Sequence, residues 1–186
     1  MDKRRAIPIL TKAAELYRDK FHRYNFLHLT GVRLNKMGTA SAIHFYQKCL
    51  DKRLKEDDFS FSKDGSTGQK LDILEKMMLI KKNVTMIGDF TDRGPKLLTE
   101  KAAWNICGCI WFVQDRNTKL NVPNTLLKKD IRDVTAQPTY KVFAVFYKDY
   151  KDEKYSLVTK LDKSIDLNEI HFNDEIENIL DVRSNI

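Results

Sequence analysis

Apolar positions recur at helical spacing through the first third of the chain and at strand spacing through most of the second half. Ile9 or Leu10, Ala13 or Ala14, Leu16 and Tyr17 form a helical stripe, which predicts a helix over residues 7–20 with Pro8 in its first turn. Phe26, His28 and Thr30 then alternate with Leu27 and Leu29, a strand that runs into a turn at Gly31. Thr39 or Ser41 can cap a second helix running to about Lys55. Its core stripe is Ala42, Phe45, Tyr46, Cys49 and Leu50, with His44, Lys48, Asp51 and Lys55 on the polar face. After a polar loop over 57–66, a third helix begins at Thr67 and carries Leu71, Leu74 and Met77 or Met78, with Lys70 in its first turn.

From residue 84 the pattern is mostly strand. Residues 84–88 form a short one, and residues 103–113, apolar on both faces, read as one central strand. Residues 119–122 form another, stopped by Pro123, and Asn124 caps a short helical turn through Leu126, Leu127 and Asp130. Residues 139–147 and 155–161 read as an antiparallel pair joined by a charged turn. The acidic end, residues 162–186, reads as a helix with a frayed tail. Helices followed by an antiparallel sheet make an α+β layout: a single domain over 1–161 with an acidic extension over 162–186.

Composition narrows the classes. With 42% hydrophobic residues and few Gly and Pro, the chain can bury a core and is not a linker. No apolar run approaches the roughly 18 residues of a membrane span, and the charged start is followed by only a broken apolar stretch, unlike a signal peptide. Three cysteines, an odd number, point to a reducing cytoplasm rather than a disulfide framework. Cys107 and Cys109 lack a second pair for zinc and read as small core-facing strand residues. The net charge of +7 is uneven: residues 1–55 hold 13 Lys+Arg against 4 Asp+Glu, whereas the last 25 residues hold 2 against 7. A basic segment that also contains His28 suits a polyanion, most simply nucleic acid, although a solvated lysine-rich surface has the same composition.

Gly88-Asp89-Phe90-Thr91-Asp92-Arg93-Gly94 resembles a motif of the calcineurin-like metallophosphatases, in which the first aspartate bridges two metals. No histidine lies two residues after an aspartate and no Gly-Asn-His occurs, so a two-metal site lacks its other ligands. The segment reads as a strand end and polar turn, with a metal-dependent phosphoesterase kept as a minor alternative.

Four segments together resemble a phage-associated family of the Barnase–EndoU–Colicin–RelE (BECR) nuclease superfamily. They are Asn25-Phe26-Leu27-His28-Leu29-Thr30-Gly31-Val32, Ala42-Ile43-His44-Phe45-Tyr46-Gln47-Lys48-Cys49-Leu50, Thr67-Gly68-Gln69-Lys70-Leu71 and Val122-Pro123-Asn124-Thr125-Leu126-Leu127-Lys128. The resemblance implies N-terminal helices packed on a four- to five-stranded, mainly antiparallel sheet. It also implies metal-independent RNA cleavage without a cofactor, in proteins carried by phages, prophages and other mobile elements, hence in a bacterial cytoplasm. RNA is then the expected partner, with a cognate inhibitor or host defence protein as a further one. A binding protein on the same scaffold, gripping RNA or a host protein without cutting, is the rival from another class.

Metal-free RNA cleavage needs a base for the 2′-hydroxyl, an acid for the leaving 5′-oxygen and donors to the phosphate. His28 suits the base or acid because imidazole titrates near neutral pH. Thr30, on the same strand face, can donate to the phosphate or orient His28. Lys70 can neutralise developing charge. Tyr46 can be an acid, a donor or a stacking ring, and Thr125 a further donor. Each has a plainer reading: a core histidine, a packing tyrosine, a capping threonine. His22 is a reserve second histidine, and His171 sits in the acidic tail. Lys48, Lys52, Lys55, Lys128 and Lys129 are the expected phosphate contacts.

Overall fold

The computed structural model describes residues 2–20, 23–30, 34–37, 44–89, 101–105, 107–135 and 139–181. Helix α1 spans Lys3–Lys20. It starts earlier than the apolar stripe because Asp2 supplies the cap: its carboxylate accepts the Arg5 N–H at 2.9 Å. Pro8 therefore lies in the second turn rather than the first, where its missing N–H removes one intrahelical hydrogen bond. Strands β1 (Tyr24–Thr30) and β2 (Leu34–Met37) follow, then helix α2 (His44–Leu50). The expected caps Thr39 and Ser41, the stripe residue Ala42 and the turn at Gly31 lie outside the described residues.

Helix α2 ends at Leu50 and not near Lys55. Lys52 turns left-handed at φ 55°, and its N–H bonds to the Cys49 carbonyl while that of Arg53 bonds to Lys48. These paired bonds close a helix C-terminus, here without the usual glycine. The reversal buries Leu54 beside Cys49 and Ala14 in a small core between α1 and α2. Phe45, expected in that core, is instead 38% exposed and lies nearly perpendicular to the loop ring Phe59.

Helix α3 (Ser66–Met77) buries Leu71, Ile73 and Met77, and α4 (Ile80–Asn83) adds Ile80. The strands then come as β3 (Met86–Asp89), β4 (Lys101–Asn105), β5 (Gly108–Gln114), β6 (Asn121–Leu127), β7 (Tyr140–Asp149) and β8 (Leu157–Leu161). Residues 103–113 are thus a hairpin rather than one strand. Asn105 faces Gly108 across the reversal, and its side chain accepts the Cys107 N–H at 2.9 Å. Cys107 consequently sits half-buried in the turn, and only Cys109 points into the core. Pro123 and Asn124 belong to β6 and start no helix. The β5–β6 register shifts between Trp111 and Phe112, so Asn124 is the extra residue of a bulge beside Pro123. A bulge is where a strand tolerates a residue that cannot donate.

The α+β class holds, with more strands than the expected four or five. One eight-stranded sheet runs β1-β2-β6-β5-β4-β3-β7-β8, and β1 also pairs with β7, so the sheet curls back on itself. Among the described residues the strands of this sheet pair antiparallel except β2 with β6, which meet in parallel at Met37 and Asn121.

Helices α3 and α4 cover one face of the sheet: Ile73, Met77 and Ile80 pack on Ile87, Ala103, Ile110, Phe112, Val142 and Val145. On the other face Ala102, Cys109 and Trp111 are covered by Ile131 and Val134, around the 3-10 turn Ile131–Asp133. Burial pushes the Cys109 thiol up to about 12. Further along that face Ala144 and Phe146 are covered by Tyr155, Leu167 and partly buried Ile165, Ile170 and Phe172. The acidic end, expected as a helix, is therefore a mostly irregular strap with one short helix, α5 (Asp174–Glu177). Its apolar residues are spaced to meet the sheet rather than to line one side of a helix. Among the described residues, no helix is long and apolar enough to cross a membrane.

Candidate functional site

His28 and Thr30 lie on β1, which is bordered by strands on both sides. His28 stands opposite Asn35 on β2 and Val145 on β7, and Thr30 opposite Val142 after a register shift at Leu29. His22 lies outside the described residues, as does Asp92 of the Gly-Asp motif, whereas Asp89 ends β3. Gly88 of that motif has a packing role. A Cβ there would come within 2.8 Å of the Thr135 methyl, and Thr135 is itself held by a 2.7 Å hydrogen bond to the Ile131 carbonyl.

The register separates Thr125 from His28. From His28 the pairing steps to Asn35, along β2 to Met37, across to Asn121 and on to Thr125. That is six residues along the strand direction, on the order of 20 Å. Thr125 stands opposite Trp111 and is half-buried. Lys70 is the fifth residue of α3, one place beyond the first turn, and is half-buried. A carboxylate stands at this helix end: that of Asp64 accepts the Ser66 N–H at 2.9 Å. Hydrogen bonds from Ser62 and then Ser66 hold the Asp64 carboxyl down at about 2, with a smaller contribution from the Lys70 charge.

Tyr46 packs edge-on against Tyr17 of α1, ring centroids 5.3 Å apart. Burial raises its phenol above the ordinary value, with the nearby Arg18 charge acting against the rise. A raised phenol stays protonated at neutral pH, which suits a donor better than a base.

Two of the expected phosphate contacts come together at the end of α2. Lys48 and Lys55 line a cleft of about 410 Å³ with Gln47, Arg53 and Asp58. Lys48 is ion-paired with Asp58 and Arg53 with Asp51. These contacts hold the Asp58 and Asp51 carboxyls below the ordinary range, the side-chain hydrogen bond from Lys48 or Arg53 being the largest cause. Lys52 is exposed at the left-handed turn. Gln47 and Arg53 were not picked out by the sequence pattern, because the turn that folds Arg53 back on α2 depends on Lys52 leaving the helical region. Lys128 and Lys129 line a second, smaller cleft of about 280 Å³ with Trp104, Cys107, Gly108 and Asp130. Lys128 also reaches Asp72 of α3 at 3.3 Å. The expected residues thus fall into separate groups: His28 and Thr30 on β1, Lys48 and Lys55 at the α2 cleft, and Lys128 and Lys129 beyond β6.

The family model described as phage-Barnase-EndoU-ColicinE5/D-RelE like nuclease4 (PBECR4) matches residues 6–164. The chain belongs to this nuclease-like family. No curated protein and no solved structure matches it.

Proposed function

We propose that this chain is a metal-independent endoribonuclease of phage or other mobile-element origin, acting in the bacterial cytoplasm. The observation that carries the reading is the nuclease family match across residues 6–164. The basic charge of the segment holding His28 supports RNA as the partner. In the reaction, His28 takes the proton of a ribose 2′-hydroxyl, whose oxygen attacks the adjacent phosphorus. The bond to the 5′-oxygen breaks, and that oxygen leaves with a proton from an acid. The products are a 2′,3′-cyclic phosphate and a free 5′-hydroxyl. Thr30 donates to the phosphate or orients His28, and Lys70 offsets the charge that develops. Tyr46 is a further donor, Thr125 donates to a phosphate distant from the one that is cut, and the lysines at 48, 52, 55, 128 and 129 hold flanking phosphates. A cognate inhibitor or a host defence protein is a further proposed partner.

The test is cleavage of total RNA and tRNA in excess EDTA, beside His28→Ala. The expected result is chelator-resistant cleavage leaving cyclic phosphate ends, reduced about 10²- to 10⁴-fold in the variant, the span usual for a lost acid or base. No cleavage, with salt-sensitive RNA binding retained, would replace the enzyme by a binding protein. Cleavage only with added manganese would return attention to Asp89.

A further inference from the structure

We propose that the corner formed by α2 and the loop after it is a docking surface for single-stranded RNA, with Phe45 as a platform on which a base stacks. The inference rests on the RNA reading above and assigns the structural form of the RNA and the residues that grip it. Phe45 is a large apolar side chain, yet it is 38% exposed at the end of a helix whose neighbours Cys49 and Leu54 are buried. Its ring is held from one side by the Phe59 ring, centroids 6.0 Å apart and nearly perpendicular. Phe59 is in turn braced by Phe61 at 5.8 Å and by the Lys3 ammonium, 5.6 Å from its ring centre. A single, nearly perpendicular neighbour steadies Phe45 and can cover at most one of its two faces.

The basic cleft adjoins this ring. Phe45 and Lys48 are three residues apart on α2, hence neighbours on its surface. They contact successive residues of the facing segment, Phe59 and Asp58. Among the described residues, Lys48, Arg53 and Lys55 of the cleft meet Asp58 of its lining and Asp51, the partner of Arg53, which leaves one positive charge in excess. Arg53 meets Asp51 through one end of its guanidinium, and that group carries five donors, so it can also hold a phosphate. An exposed ring beside a positively charged groove is the arrangement that binds single strands, because bases must be unpaired to present a face for stacking. A duplex keeps its bases inside and offers only phosphates and sugars to such a corner.

The test is fluorescence anisotropy with a labelled 2′-O-methyl oligonucleotide, which lacks the attacking hydroxyl and survives the assay, as a single strand and as a duplex. Wild type is expected to bind the single strand more tightly. Phe45→Leu, which keeps an apolar contact on Phe59, should weaken single-strand binding about tenfold and leave duplex binding nearly unchanged. Phe45→Tyr should restore it, since it keeps the ring. Equal loss for both strand forms, or no loss in Phe45→Leu with an unchanged melting temperature, would overturn the docking surface while RNA cleavage by the wild type could still stand. Ring-dependent binding selective for the single strand, in a protein that cuts nothing, would uphold the surface and sink the nuclease reading instead.

Discussion

Gly108→Ala examines the hairpin that the sequence pattern had run together as one strand. Gly108 has φ 157°, and a Cβ placed on it would lie 2.7 Å from the Leu127 carbonyl oxygen and 2.9 Å from the end of the Ile73 side chain. Ile73 can rotate away, but Leu127 is backbone in a strand paired with β5. Backbone strain of about 1–3 kcal/mol and overpacking of about 1–3 kcal/mol together give a loss of about 2–6 kcal/mol. For a chain of 186 residues, each kcal/mol moves the melting temperature by about 2–4 °C, so a fall of several degrees to well over ten is expected. The assay is thermal and urea unfolding followed by tryptophan fluorescence, with Trp104 and Trp111 in the hairpin itself. Gly68→Ala is the control. Gly68 lies in α3 with nothing within 4 Å of its would-be Cβ, and alanine there should stabilise by up to about 1 kcal/mol through helix propensity. The same chemical change should therefore act in opposite directions at the two sites. A Gly108→Ala protein melting within 2 °C of wild type would refute the argument, as would equal shifts of the same sign.

Three further outcomes are expected. Leu167→Ala should cost about 2–5 kcal/mol in urea unfolding, because Leu167 is buried against the sheet near Phe146; a neutral result would mean that the acidic strap does not close that face. Lys52→Gly should stabilise the end of α2 by about 0.5–1 kcal/mol by relieving the left-handed backbone at φ 55°, read as a rise in melting temperature that an Ala variant does not give. The Asp64 carboxyl, held at about 2 against an ordinary 3.8, contributes stability that is complete above the ordinary value and is lost as pH falls toward 2. Carboxyl NMR titration should find it depressed in wild type and raised in Ser62→Ala, and a normal midpoint in wild type would contradict the Ser62 and Ser66 contacts.

Elements whose signal is local were legible in the chain. Helix α1, helix α3, strand β1 and the β7–β8 pair fall close to their expected places. Each is marked by its own periodicity, and periodicity needs no knowledge of neighbours. The misreadings share a cause. Residues 103–113 are apolar on both sides because both faces of β4 and β5 are covered, and that hides a turn whose only local marks are Asn105 and Gly108. Pro123 looks like a stop until the β5–β6 bulge gives it a place that requires no donor. Phe45 fits a core stripe, but it stands 38% exposed beside Phe59 of the following loop, a placement its own spacing does not reveal.

The candidate site divides along the same line. The chain alone supplied the residue types: a histidine on a strand, a basic N-terminal segment, and lysines grouped near positions 48–55 and 128–129. Tertiary structure alone decided which of them meet. Lys48 and Lys55 share a cleft with Arg53, whereas Thr125 is carried away from His28 by the β1-β2-β6 register. The pairing of β1 with both β2 and β7, which curls the sheet, is likewise written in no single segment. Local pattern sets what each segment can become through backbone geometry and apolar spacing. Register and proximity depend on which distant surfaces bury one another, an energy that exists only once the whole chain has collapsed.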